Sequence, residues 1–307
     1  MFPVSERGLF PTHEMMLSEL AKYAASCSCA LTPARVGSQS SIACYEYMEF
    51  LAADCVTLFA RVITPKTSNQ SGTQFDEHLA ESSAFPTILY FHDMNQGSRG
   101  WAHLTRWVAL GYRVVMLEQR LWSHDIAYCD GAEFWTLLED AVLTFELTCR
   151  LSQTDVNKIA LVGEGTGAGL ALNLAGIMGN RVAKLAVLNP CPASMYQAWQ
   201  TNATTPIYAG IHRHFRYTDP QVIQADQLFE QLTQIDCMTY APQVTASTLF
   251  GIGQLGQEAQ VSSLEALYNL LGSANKKLVS YPKWGYERIN DFEDEVLQFI
   301  HFERKDI

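Results

Sequence analysis

Apolar and polar positions alternate along this chain in blocks, and the blocks predict its elements. Two runs rich in β-branched and aromatic residues, IACYEYMEFLA and CVTLFARVIT, flank Ala53-Asp54 and read as an antiparallel hairpin. The polar stretch that follows, KTSNQSGTQFDEHLAESS, has turn composition and predicts a surface loop over 66–84. Beyond it, the short apolar runs PTILYFHD, YRVVMLE, KIALVGE, KLAVLNP, STLFGIG and KLVSYP are separated by longer segments of helical period. Helices are expected from about Gly100, over Ala132 to Leu151, directly after Glu164, from Ser262, and over Asp291 to Phe302. Residues 192–245 carry no comparable regularity and read as an irregular, partly helical insertion over the pocket. Apolar strands alternating with helices must be buried on both faces, so the expected fold class is α/β. It has a mostly parallel central sheet, helices on both faces through right-handed crossovers, and an antiparallel N-terminal hairpin.

Composition narrows this to one large domain spanning 1–307, since 307 residues at 48% hydrophobic can bury a sizeable core. Residues 1–35 are too short and too mixed to form a unit, yet they carry Met15, Met16, Leu17, Leu20 and Tyr23. Such an arm must pack on its own domain or on a neighbour, which together with a family resemblance given below leads to an expected homo-oligomer. A formal charge of −11 repels phosphate backbones, and the basic residues are scattered apart from His212-Arg213-His214 and Arg216, so nucleic acid is not an expected partner. No apolar run reaches the roughly 18–20 residues that span a bilayer, and MFPVSERGLF lacks the regions of a signal peptide, so the expected setting is cytoplasmic with no membrane partner. The eight cysteines are irregularly spaced, and Cys27-Ser28-Cys29 has no second Cys or His pair at ligand spacing. No metal and no cofactor are expected.

Chemistry concentrates in KIALVGEGTGAGLALNLA. A buried strand that turns sharply into a helix through G-x-S-x-G presents its serine hydroxyl from the turn. Here the frame is Gly163-Glu164-Gly165-Thr166-Gly167, with every glycine present and glycine again at the nucleophile position. The same residues with Ala168 satisfy G-x-G-x-x-A, a dinucleotide-binding alternative. Against it, the next strand ends in Asn189-Pro190 where a ribose-binding carboxylate is needed, and Glu164 sits inside the would-be phosphate loop.

Several segments in collinear order carry a resemblance. HEMMLSELAKY resembles D-M-P-L-E-E-L-x-x-Y, YFHDMNQGSRGW resembles F-H-G-Y-N-G, and GYRVVMLEQRLW resembles G-Y-A-V-V-x-M-D-x-R-G-Q. RYTDPQ, followed by Leu232 to Val244 with Asp236 and Ala241-Pro242, resembles a D-P and Y-F-D-x-x-N-L-A-P segment. These motifs belong to the acetyl xylan esterase and cephalosporin-C deacetylase family of carbohydrate esterases, which the chain resembles over nearly its whole length. The resemblance implies an α/β-hydrolase fold, a deacetylase ancestry and an oligomer. It also sets the triad positions: the serine falls on Gly165, the aspartate of G-L-M-D on Gly256, and the histidine of G-H-E on Tyr286. The oxyanion turn H-G-Y becomes His92-Asp93-Met94, which puts a carboxylate where negative charge would develop.

Losing one member of a serine triad costs on the order of 10⁶ in turnover, and here all three positions differ. Relocated groups are the alternative, giving a residually active esterase. Glu258 is then the candidate acid, but Tyr286 is a poor base at a reference pKa of about 10, and the Thr166 hydroxyl should point toward its helix or its neighbours instead of into the pocket. The candidate pocket residues are His92, Asp93, Met94, Asn95, Arg120, Trp122, Glu164, Thr166, Cys191 and Tyr286. Each has a structural reading beside the functional one: Arg120 as an ion-pair partner, His92 as a hydrogen-bonded core histidine, Cys191 as a buried thiol, and Met94, Trp122, Trp284 and Tyr286 as filling of an abandoned site. The expectation is an esterase relative without catalysis that acts by binding a small molecule, an acetylated sugar or carboxylate, or by assembly, including assembly beside an active relative.

Overall fold

A computed structural model of the chain describes residues 13–36, 40–66, 84–94, 98–120, 132–203, 205–256, 260–284 and 287–302. The strands are β1 (Ala30–Pro33), β2 (Ala43–Leu51), β3 (Thr57–Pro65), β4 (Phe85–Phe91), β5 (Arg113–Glu118), β6 (Thr154–Glu164), β7 (Lys184–Leu188), β8 (Ser247–Gly253) and β9 (Lys276–Tyr281). They form one sheet in the order β1-β2-β3-β5-β4-β6-β7-β8-β9. β1 to β3 and the β3–β5 pair are antiparallel; β5 to β9 run parallel. The expected hairpin is β2–β3, with Ala43 opposite Pro65 and Leu51 opposite Thr57. β1 was not anticipated: four exposed residues on the sheet edge carry no alternation to read.

Helices cover both faces. On one face lie α1 (His13–Ser26), α3 (Ala132–Arg150) and α4 (Gly165–Met178), packed in a core with Phe134, Leu138, Leu170 and Leu174. On the other, α2 (Trp101–Thr105), its 3-10 continuation Arg106–Leu110 and α10 (Asn290–Ile300) bury Leu104, Trp107, Phe292 and Val296. α4 is apolar all round because it runs through the centre of its layer, with all but Ile177 of its residues buried.

Residues 192–245 are more helical than the pattern indicated: α5 (Met195–Gln200), α6 (Pro206–Arg213), a π turn at His214–Thr218, α7 (Ala225–Leu232) and α8 (Cys237–Tyr240). These helices are too short for a periodic signal. Asp236 organises them, accepting from Ser194 N at 3.0 Å, Met195 N at 2.8 Å and Met238 N at 3.0 Å. α9 (Val261–Leu270) precedes β9.

The described part of the arm, from residue 13, folds back on its own chain. Met16, Leu20 and Ala24 recur at helical spacing and are fully buried in the core beside α3, while Tyr23 donates to the carbonyls of Leu51 and Ala52 at 3.2 and 3.1 Å. Of the apolar set, Met15 remains 57% exposed, so the arm's buried side is consumed within the subunit.

Candidate active site

Strand order reverses at β4. The chain leaves β4 for β5 on one side and returns from β5 to β6 on the other, so the carboxyl ends of β4 and β6 flank a crevice, the place where open α/β sheets bind ligands. His92-Asp93-Met94 follows β4 there, and Glu164-Gly165 follows β6, with Phe91 in register with Gly163. The turn into α4 is an elbow. Glu164 is extended (φ −129°), and Gly165 takes φ +54°, a left-handed conformation that costs an L side chain about 1–2 kcal/mol. Gly167 lets α4 pass against the end of β4, where a Cβ would meet the carbonyl oxygens of Phe91 and His92.

Asp93 fills the space a nucleophile needs. A Cβ at position 165 would stand 2.5 Å from the Asp93 Cγ, 2.7 Å from Oδ1 and 2.9 Å from Oδ2. The buried carboxylate is held there by Thr166, whose Oγ1 lies 3.1 Å and whose backbone N lies 3.5 Å from Asp93 Oδ1. Thr166 Oγ1 in turn accepts from Met94 N at 2.9 Å, so its hydroxyl is spent on the neighbouring turn. The amide after an elbow nucleophile is an oxyanion donor; here it faces the chain's own carboxylate. The same group stands where a pyrophosphate would rest on this helix start, against the dinucleotide alternative. His92 is buried, its Nδ1 3.1 Å from the Asp93 carbonyl, and burial pulls its pKa down. Its carbonyl accepts from Gln119 Nε2 at 2.9 Å, which fixes the turn.

On the other side of Gly165 lies a narrow cleft walled by Arg99, Glu164, Asn189, Arg288 and Glu293, with room for about one water molecule. Glu164 accepts from Tyr90 Oη at 2.6 Å and is ion-paired with Arg99. Burial and Glu164 keep the Tyr90 phenol protonated. Glu293 is bound by Arg106 and, through two bonds of 3.0 and 2.9 Å, by Arg288. Burial raises its pKa, but Arg288 and Arg106 outweigh that and hold it below the usual range. His103 Nδ1 lies 3.1 Å from Arg288 Nη2, and burial together with Arg106 pulls its pKa down to about 4. His103, Glu164 and Glu293 thus bring ligand-type atoms within 4.8 Å of one another. A metal fits them poorly: both carboxylates are committed to three guanidiniums that would repel it.

Of the candidate residues, the elbow and the oxyanion turn bring together His92, Asp93, Met94, Glu164, Gly165 and Thr166. Arg120 as a pocket residue is corrected: it is clamped away from the cleft, donating to Asp54 at 2.5 and 2.9 Å and to Asp140 at 2.6 and 2.9 Å, a fold-stabilising role. Cys191 is buried, its backbone N bonded to the Gly165 carbonyl at 3.2 Å. Gly256 turns back on Gly253 at 3.0 Å after β8. Asn95, Trp122, Glu258 and Tyr286 lie outside the described residues, though residues 287 and 288 beside Tyr286 line the Gly165 cleft. Sequence reasoning missed Tyr90, Arg99, Asn189, Arg288 and Glu293. Asn189 had a signal, since Asn at a strand end is among the residues that most often take a left-handed turn conformation, here with φ 51°. The others are single charges on separate elements with no spacing to read.

A mixed, mostly parallel sheet with helices on both faces, an elbow after β6 and an oxyanion turn after β4 defines an α/β-hydrolase fold. The sequence profile of the acetyl xylan esterase (AXE1) family matches residues 130–302, more than half of the chain, and the chain belongs to that family. Among solved structures, acetyl xylan esterase 1 from Thermoanaerobacterium sp. JW/SL YS485 is similar with a TM-score of 0.79 and 22% identity, covering 98% of each chain. The acetyl xylan esterase from Paenibacillus sp. R4 has a TM-score of 0.78 and 20% identity over 98% of this chain and 99% of that one. The Pyrococcus horikoshii acylaminoacyl peptidase shares the fold at a TM-score of 0.62 and 17% identity, over 85% of this chain and 41% of its own. No match was found among curated proteins. Among the described residues, no helix is long and apolar enough to cross a membrane.

Proposed function

We propose that this member of the acetyl xylan esterase family no longer hydrolyses esters and acts through what it binds or assembles with. The observation that carries the reading is the pairing of Gly165 with Asp93. Position 165 offers no attacking atom, and a carboxylate 2.5–2.9 Å from its would-be Cβ occupies the space and the amide that a tetrahedral oxyanion requires. A negative group in that hole opposes the charge that acyl transfer develops, so even the roughly 10³-fold residue of catalysis left by an intact hole is forfeited. With room for about one water, the described walls favour a small carboxylate over an acetylated sugar as the bound species. Assembly with copies of itself or with an active relative remains part of the proposal, although the arm's buried residues are not its surface.

The test is hydrolysis of a panel of small acetyl esters by the purified chain against a heat-inactivated control. No turnover above the control is expected. Turnover that a single substitution at Glu164 or Thr166 abolishes would overturn the proposal and favour relocated catalytic groups.

A further inference from the structure

The network around the cleft holds donors that its two carboxylates do not take up. Every carboxylate oxygen of Glu164 and Glu293 already accepts, from Tyr90, Arg99, Arg106 and Arg288. Among the buried polar atoms there, Asn189 Nδ2, Arg106 Nε and His103 Nε2 find no partner among the described residues. All three are donors. His103 is neutral near pH 7 and its Nδ1 faces an Arg288 nitrogen that can only donate, which leaves the proton on Nε2.

Asn189 is the most informative of the three. It is 3% exposed, lines the cleft, and is oriented by Gly253, whose N–H donates to its Oδ1 at 2.7 Å. That bond fixes which end of the amide is Nδ2, and a buried donor left unpaired costs about 1–3 kcal/mol. Charge agrees with the donor count. Three guanidiniums face two carboxylates in the network, while Lys283 and Glu287 pair with each other at 4.0 Å. The nearby Asp93 carboxylate lies behind Gly165, engaged by Thr166 at the start of α4.

We propose that this cleft is a binding site for a small monovalent anion, of the size of chloride or formate, held by Asn189 Nδ2 and the Arg99 and Arg288 guanidiniums. The room for about one water molecule sets the size limit and excludes a bulky anion. The proposal rests on the cleft being a place of binding instead of reaction, and ester hydrolysis is therefore measured on the same preparation.

Thermal unfolding of the full chain, at matched ionic strength, compares sodium chloride, sodium formate and the bulky gluconate salt. Chloride or formate should raise Tm saturably and gluconate should not; at 100 times its dissociation constant an anion lowers the unfolding equilibrium constant about 100-fold. Asn189→Asp keeps the shape and the acceptor for Gly253 but replaces the donor with an oxygen, so the saturable response should vanish. Arg288→Gln should weaken it, and it decides the matter if the first variant fails to fold. Equal Tm in all three salts, an unchanged response in both variants, or stabilisation by zinc chloride that a chelator reverses would overturn the anion site. Ester turnover would instead sink the non-catalytic reading, whatever the salts do.

Discussion

If Asp93 and Gly165 occupy one another's space, a side chain at 165 should be tolerated only when Asp93 is shortened. Gly165→Ala introduces a Cβ at φ +54°, worth about 1–2 kcal/mol of backbone strain. It also drives that Cβ to within 2.5–2.9 Å of the Asp93 carboxylate, which must rotate away and surrender its 3.1 Å bond from Thr166 Oγ1. A charge-assisted bond of that kind contributes about 1.5–3 kcal/mol. The single variant should therefore lose about 3–5 kcal/mol. In an Asp93→Ala background the clash and the bond are both gone, and the same change should cost only the strain, about 1–2 kcal/mol. The cycle predicts a coupling of about 2–3 kcal/mol between the two positions, well above the roughly 0.5 kcal/mol scatter of independent sites. Urea unfolding followed by far-UV circular dichroism and by Trp fluorescence measures it, provided the two transitions coincide. Additive losses would refute the claim that Asp93 holds the nucleophile's place.

Three further changes probe the frame around the remnant. Asp236→Ala removes three backbone acceptor bonds at the junction of α5 and α8 and should cost on the order of 3 kcal/mol in urea unfolding, with a smaller loss for Asp236→Asn. Arg120→Met strands the Asp54 and Asp140 carboxylates; roughly 2–3 kcal/mol should be lost, short of the 3–5 of a fully buried pair because Asp54 keeps some solvent, and no loss would mean the clamp is idle. Burial pushes Glu139 up to about 7 against the bond from Trp135, and Asp140 up to about 6 against Arg120. Acids raised in the folded state stabilise it fully below their unfolded pKa near 4 and lose that contribution as pH rises through 6 to 7. Glu139→Gln, which keeps the Trp135 bond, should thus raise Tm at pH 8 and leave it unchanged at pH 4, and a pH-independent difference would contradict the assignment.

What was legible in the sequence followed from how strongly each segment repeats. β4 to β8 carry short continuous apolar runs, and each appears as a strand because a parallel sheet buries both faces of it, whereas β9, the partly exposed edge strand, showed only its Leu278-Val279 pair. The elbow was legible because its glycines answer to backbone geometry: Gly165 to a positive φ, Gly167 to the approach of β4. Helices α5 to α8 were not, since segments of four to eight residues hold too few turns to display a period. Arg120 looked like a pocket residue because it follows an apolar strand run at the carboxyl edge of the sheet; its partners Asp54 and Asp140 come from a hairpin turn and a helix that no local pattern joins to it. Arg99, Arg288 and Glu293 were invisible for the same reason. Their meaning lies in a convergence that only the fold creates.

The position of Asp93 also bears on the proposed lack of catalysis. A carboxylate in the oxyanion turn is incompatible with a serine at 165 on steric grounds, and incompatible with a tetrahedral oxyanion on electrostatic ones. Beside Gly165 the same carboxylate is favourable: it fills the volume a side chain at 165 would need, takes the Thr166 hydroxyl, and sits at the positive end of a 14-residue helix. A hydroxyl introduced at 165 would therefore meet a filled site. The ion-paired cleft behind Glu164 owes nothing to that chemistry, and its unpartnered Asn189 and His103 donors stand whatever residue occupies position 165.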